Sequence, residues 1–299
     1  MAAFSSSISL FIKKCNTWLP LERFLSLLLQ TFPQAWVKWL NRKVVPGIEY
    51  YPLNSWRMVR RKGLMFKLDL SQHLDHSVYW SSEDSLKNWI ADQVEPGMVC
   101  FDIGSNIGVV TLMMGRKTGA AGAVYAVEPD SNTFKKMHHN VQLNGMNWVT
   151  PLNIGMGSSQ QRVQLYQFQE GNDGANRILT EEEAVGHAKR GEILIETLDS
   201  QVSAFGLSRL DVVKIDVEGY EHEVIRGGME TINRFKPLLV IELIDKNLRQ
   251  NNSSSAALIA DLEKVGYACH NFQTQKAVTS GDEFADTVMD VICLAQPAV

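Results

Sequence analysis

Three stretches place an acid where an apolar run gives way to a turn: Asp102-Ile-Gly-Ser-Asn-Ile-Gly108, Glu128-Pro-Asp130 and Lys214-Ile-Asp-Val-Glu-Gly219. Gly104 and Gly108 bracket a tight turn where backbone can approach a ligand, because a residue without Cβ tolerates positive φ. Ile107, Val110, Thr111 and Met114 follow at helical spacing, so the turn sits at a helix N-terminus, rich in free N–H groups. Asp102, two residues before Gly104, would repel a pyrophosphate and suits a ligand with a cationic amino acid end. S-adenosylmethionine has such an end and a sulfonium. Glu128 lies 20 residues beyond Gly108, about where a second strand end offers an acid to a ribose diol. A dinucleotide fingerprint would need glycine where Asn106 and Val109 stand, which argues against an NAD-dependent oxidoreductase. The Gly-Lys-Ser/Thr of a phosphate-binding loop is absent.

The elements that must position these residues read as alternating strands and helices. Arg57 to Leu70 reads as a hairpin turning at Lys62-Gly63, and a helix capped by Ser82 runs through Trp89 and Ile90. Val99 to Ile103 is a short apolar run suited to a strand buried on both faces. Val124 to Val127 and Trp148 to Asn153 are the next two strands, with a helix capped by Asp130 or Ser131 between them. Asn153 lies in the exit loop where an adenine could rest against backbone. Residues 156–209 break the alternation: Val163–Phe168 and Ile193–Leu198 have strand character around Gly171–Arg177. Such an excursion beside the strand ends serves either substrate contacts or an irregular surface hairpin. A fourth strand ends on Asp216, a fifth, Pro237–Leu243, on Glu242. Tyr267–Phe272 and Val288–Ala295 are too close in sequence for a crossover helix and should pair antiparallel.

Hydrophobic residues make up 45% of the chain and charged ones 21%, ordinary for a globular protein, and the net charge of −4 gives no case for nucleic-acid binding. The average conceals an asymmetry. Residues 1–67 hold 11 Lys/Arg and 2 Asp/Glu, while residues 68–299 hold 18 and 31. The first 45 residues read as amphipathic helix, but Lys13, Lys14, Glu22 and Arg23 interrupt any run approaching the roughly 20 apolar residues that span a bilayer. Either a helical cap on the main domain or a peripheral contact with an anionic membrane through residues 1–45 fits that composition. The cysteines at 15, 100, 269 and 293 have no metal spacing; those at 100, 269 and 293 fall in apolar strands, where buried reduced thiols and a cytoplasmic location are the default.

The ordered series Asp102-Ile-Gly-Ser-Asn-Ile-Gly108, Glu128-Pro129, Leu198-Asp199-Ser200, Lys214-Ile-Asp-Val-Glu-Gly219 and Ile241-Glu242 resembles the FkbM-type S-adenosylmethionine-dependent methyltransferases over about residues 57–296. The resemblance implies an α/β class I methyltransferase sheet, Rossmann-like, of seven strands in the order 3-2-1-4-5-7-6, the last antiparallel, with helices on both faces. It implies an N-terminal segment (1–56) outside the family and a methyltransferase domain (57–299), with a hairpin and helix over 57–96 and the core over 97–299. The implied reaction is methylation of a hydroxyl on a saccharide, glycolipid or secondary metabolite. The rival from another class is a methyltransferase-like scaffold or membrane-surface module without activity, against which the intact Asp102, Gly104, Gly108 and Glu128 count.

By that resemblance Asp102, Gly104, Ser105, Asn106 and Gly108 surround the methionyl part and Glu128 holds the ribose. Asp216 touches cofactor and is best placed to take the acceptor proton, with Glu218 and Glu242 next. Asp199 is expected to cap the helix that follows it, and His222 to be exposed or satisfied. Asp216, Glu218, Glu242 and Asp245 could gather around Mg²⁺, but their spacing singles out no metal and none is expected.

Overall fold

The computed structural model describes residues 17–29, 44–80, 84–169, 171–179 and 183–296, in two compact units, residues 1–85 and 86–299. In the first unit, α1 (Leu19–Leu29) precedes an antiparallel hairpin of β1 (Trp56–Arg61) and β2 (Leu64–Asp69), followed by α2 (His73–Tyr79). The hairpin turns at Lys62-Gly63, both at positive φ, the geometry that fits the twist of two-residue hairpins. β2 buries Leu64, Phe66 and Leu68, the alternation of a strand with one covered face. The helix expected across the first 45 residues is described only over α1 and at Val44, and Ser82 lies outside the described residues.

After α3 (Ser85–Asp92), the chain alternates through β3 (Val99–Ile103), α4 (Val109–Thr118), β4 (Ala123–Val127), α5 (Ser131–Leu143) and β5 (Val149–Leu152). Asp130 caps α5, accepting from the N–H groups of Asn132 and Thr133. The excursion is an ordered four-stranded sheet: β6 (Gly155–Met156), β7 (Gln161–Gln167), β8 (Arg177–Ile178) and β9 (Ala188–Glu196), in the order β6-β9-β7-β8. The alternation resumes with α6 (Leu198–Ala204), β10 (Val212–Ile215), α7 (Glu221–Gly227), α8 (Met229–Phe235), β11 (Leu238–Ile244), α9 (Asp245–Gln250) and α10 (Ser255–Lys264). It closes with β12 (Tyr267–Asn271), β13 (Ala277–Val278) and β14 (Val288–Ala295).

The main sheet runs β13-β12-β14-β11-β10-β3-β4-β5. It has eight strands where seven were expected. A tight turn after β12, with the Gln275 N–H bonded to the Asn271 carbonyl, folds β13 back onto its edge. β5, β4, β3, β10 and β11 are parallel, and β14 lies antiparallel between β11 and β12. Strands covered on both faces explain why consecutive residues, Cys100 and Phe101, Val212 and Val213, Val240 and Ile241, are all buried. Parallel alignment also brings the C-terminal ends of β3, β4 and β10 to the same rim, where ligands bind in such sheets.

Several local expectations are corrected. Pairing of β11 with β14 persists to Ile244, so Glu242 stands inside the strand opposite Asp290 rather than at its end. Thr197, not Asp199, caps α6; Asp199 instead accepts from the Thr231 and Glu230 N–H groups at the start of α8. Cys269 and Cys293 are not free thiols. Register sets them opposite each other on β12 and β14, Cα atoms 4.1 Å apart, and they form a disulfide. Cysteine content therefore gives no argument for a reducing compartment. No described helix is long and apolar enough to cross a membrane.

Candidate active site

The site is built on the β3 exit. Gly104 adopts φ +79, and a Cβ there would fall 1.8 Å from the Asp216 carbonyl oxygen. Only glycine lets the β3 and β10 loops come this close. Gly108, at φ +85, opens α4. Ser105 is buried and spends its hydroxyl and its N–H on the Val127 carbonyl, stitching the glycine loop to β4.

Glu128 joins the same loop from β4. It is buried, and its carboxylate accepts from the N–H groups of Asn106 and Asp130 at 3.0 and 2.9 Å. Burial pushes its carboxyl up to about 8, with the Asp130 charge adding to the effect and the two N–H donors opposing it. Asn153 sits beside it: Nδ2 donates to the carbonyls of Glu128 and Pro129 at 2.8 and 3.0 Å, and Oδ1 accepts from Ser131. Its amide thus fixes the acid's loop.

Asp102 is in β3, 1% exposed on its side chain. Oδ2 accepts from Thr111 at 2.6 Å, while Oδ1 has no hydrogen-bond donor. Lys214, its direct neighbour on β10, lies 3.6 Å from that oxygen and 3.0 Å from Asp216 Oδ2. The same ammonium donates to the Gly104 carbonyl at 2.8 Å. Burial alone would lower the Lys214 pKa; the carboxylates of Asp216 and Asp102 outweigh it and raise it. The lysine is therefore a fixed positive charge.

Asp216, Glu218 and Glu242 each turn a carboxylate oxygen to within 4.8 Å of the others, so one cation could be shared by the three. Asp245 is outside this group, bonded to Arg249 at 2.5 Å and to the Ser255 N–H at 2.8 Å. Burial pushes Glu242 up to about 9, helped by the Asp216 and Glu218 charges and a hydrogen bond with Asp216. Near neutrality Glu242 holds a proton beside an acceptor oxygen of Asp216. Glu218 has φ +56, a conformation a non-glycine side chain rarely adopts and one concentrated at functional sites. Glu221 supports that loop by accepting from the Val217 and Gly219 N–H groups.

Sequence reasoning missed two cations. Lys214 was visible as a lone charge in an apolar run, a sign of a buried partner. Arg177 was not. From β8 of the excursion its guanidinium donates to Glu218 at 2.9 Å and to Asn247 at 3.0 Å, and it stacks 3.9 Å over the Phe168 ring. His222 is satisfied as expected, buried between Ser253 and Asp261.

The sequence model of the methyltransferase FkbM domain matches residues 102–269, more than half of the chain. The chain belongs to the FkbM methyltransferase family. The matched region is its methyltransferase domain. The FkbM domain here is 29% identical over 156 residues to hexuronic acid methyltransferase AglP of Haloferax volcanii, covering 50% of this chain and 59% of that protein. It is 31% identical over 162 residues to Methyltransferase 1 of Beauveria bassiana, covering 48% and 64%. The match thus spans less than two thirds of either relative. A solved FkbM methyltransferase from Methylobacillus flagellatus KT aligns over 73% of this chain and 54% of its own, at 14% identity and TM-score 0.41, too distant to bear on the assignment.

Proposed function

We propose that this FkbM chain transfers a methyl group from S-adenosylmethionine to a hydroxyl of a saccharide. The observation that carries the reading is the cluster of Asp216, Glu218 and Glu242 carboxylates, with Asp216 packed against the glycine loop, where a carboxylate can take the proton of an acceptor hydroxyl. A relative that methylates hexuronic acid supports a sugar acceptor.

When bound, S-adenosylmethionine supplies an electrophilic methyl on a positively charged sulfur. The chain's residues fit its chemistry. Glu128 would hold the ribose hydroxyls, with Asn153 fixing the Glu128 loop and an adenine lying against the exit backbone near it. Asp102, buried and paired with Lys214, would set the charge behind the cationic amino end, and Gly104, Ser105, Asn106 and Gly108 offer close backbone. Asp216, charge-compensated by Lys214, takes the acceptor's hydroxyl proton as the oxygen attacks in line. Glu242 donates its hydrogen bond to Asp216, and Glu218, held by Arg177, orients the acceptor. The test is calorimetric titration of S-adenosylmethionine, followed by S-adenosylhomocysteine release with glucuronate-type and neutral sugar acceptors. Binding without turnover on any hydroxyl acceptor would point to the inactive scaffold instead.

A further inference from the structure

Helix α1 is inside out. Its covered face is polar: Glu22 is fully buried and Ser26 nearly so, alongside Leu29. Its open face is apolar, with Phe24 60% and Leu27 62% exposed, and Trp18, just ahead of the helix, 68% exposed. Leu28 is also exposed, and Arg23 is the charge on that side. A helix that caps a core does the reverse, because withdrawing large apolar side chains from water is what stabilises its docking.

The orientation is fixed by specific bonds within the first unit. Arg57 on β1 grips Glu22 through two hydrogen bonds of 2.7 and 3.1 Å. Ser26 donates to the Tyr79 carbonyl at 3.0 Å and accepts from Arg61. Turning Phe24 and Leu27 inward would break this buried ion pair, so the apolar stripe is held outward.

We infer that this stripe is a docking face for an anionic lipid bilayer. The occupant follows from charge and length. Residues 1–67 carry 11 Lys/Arg against 2 Asp/Glu, and the buried pair Glu22–Arg57 cancels within that count, leaving the excess unchanged. A strongly positive segment is attracted to anionic headgroups, while Trp18, Phe24, Leu27 and Leu28 enter the headgroup–acyl boundary. No described helix is long and apolar enough to span the membrane, and α1 docks in the interface plane.

The test is flotation of the full chain with vesicles of phosphatidylcholine alone and with about one third phosphatidylglycerol. Variants F24S/L27S and R23E alter only exposed side chains, and circular dichroism with S-adenosylmethionine titration shows that they fold. Binding to the anionic vesicles, weak on neutral ones, reduced by raised salt and by R23E, and lowered at least tenfold by F24S/L27S is expected. Absence of wild-type flotation on anionic vesicles overturns the proposal, as does F24S/L27S floating like wild type. Self-association that F24S/L27S abolishes, without vesicle binding, overturns it in favour of a second copy of the chain.

Discussion

The Lys214 ammonium lies 3.0 Å from Asp216 Oδ2 and, through the same nitrogen, holds the Gly104 carbonyl. One buried charge thus couples the carboxylate proposed to act on the acceptor to the loop proposed to hold the cofactor. Replacing it removes a partner from Asp102, whose side chain has almost no water. Lys214→Met should cost about 3–5 kcal/mol, the usual result of stranding one member of a buried ion pair. Urea denaturation measures this; a loss below about 1 kcal/mol would show that the charges are solvated after all.

Glu242 gives a pH-dependent stability. Its carboxyl is raised to about 9 in the folded chain, against about 4.3 when unfolded. The folded state therefore holds the proton more tightly, and the stability this contributes is present below about pH 4 and is lost as pH rises towards 9. Between about pH 6 and 9 the melting temperature of wild type should fall more steeply than that of Glu242→Gln, by at least ~2 °C. Parallel slopes would sink the assignment of the proton to Glu242.

Glu128 should reveal the cofactor through a proton. Its carboxyl, pushed up to about 8 by burial, is mostly protonated at pH 7, whereas two ribose hydroxyls donate best to a carboxylate. Binding should then release a proton, and affinity should rise with pH up to about 8. Calorimetry in buffers of different ionisation heat reads the release directly. Glu128→Gln should weaken S-adenosylmethionine at least tenfold, about 1.4 kcal/mol, and abolish the buffer dependence.

Arg177 separates the acceptor side from the cofactor side. Arg177→Gln removes its bonds to Glu218 and Asn247 and should lower kcat/KM by ~10–100-fold, about 1.4–2.7 kcal/mol. Affinity for S-adenosylmethionine should not change. Arg177→Lys should restore little, since an ammonium lacks the planar fork and the stack over Phe168. A matching loss of cofactor binding would show that the arginine only maintains the fold.

The strand tips were legible because an acid after an apolar run is a local signal: Asp102, Glu128 and Asp216 all stand near the expected rim. What sequence could not show is pairing. Lys214 reaches Asp102 only because β10 and β3 align residue for residue, and Cys269 meets Cys293 for the same reason on β12 and β14. Arg177 depends on an excursion of four short strands whose path no periodicity encodes. Glu242 was read as a strand end because Leu243 and Ile244 look like any apolar exit; a partner strand, absent from local sequence, extends the ladder past it.

The placement of β14 sets an order of events during synthesis. β11 and β12 flank it in the sheet, yet both are made before it. A nascent chain stopped before Val288 presents an open edge on β11 and another on β12, the kind of unpaired backbone that recruits other chains. At about 5–20 residues per second the 8 residues of β14 take on the order of a second to emerge. The sheet is a zip whose last tooth is an inner one, so stalls or truncations in that short window should send the protein to aggregates rather than to a weakened enzyme.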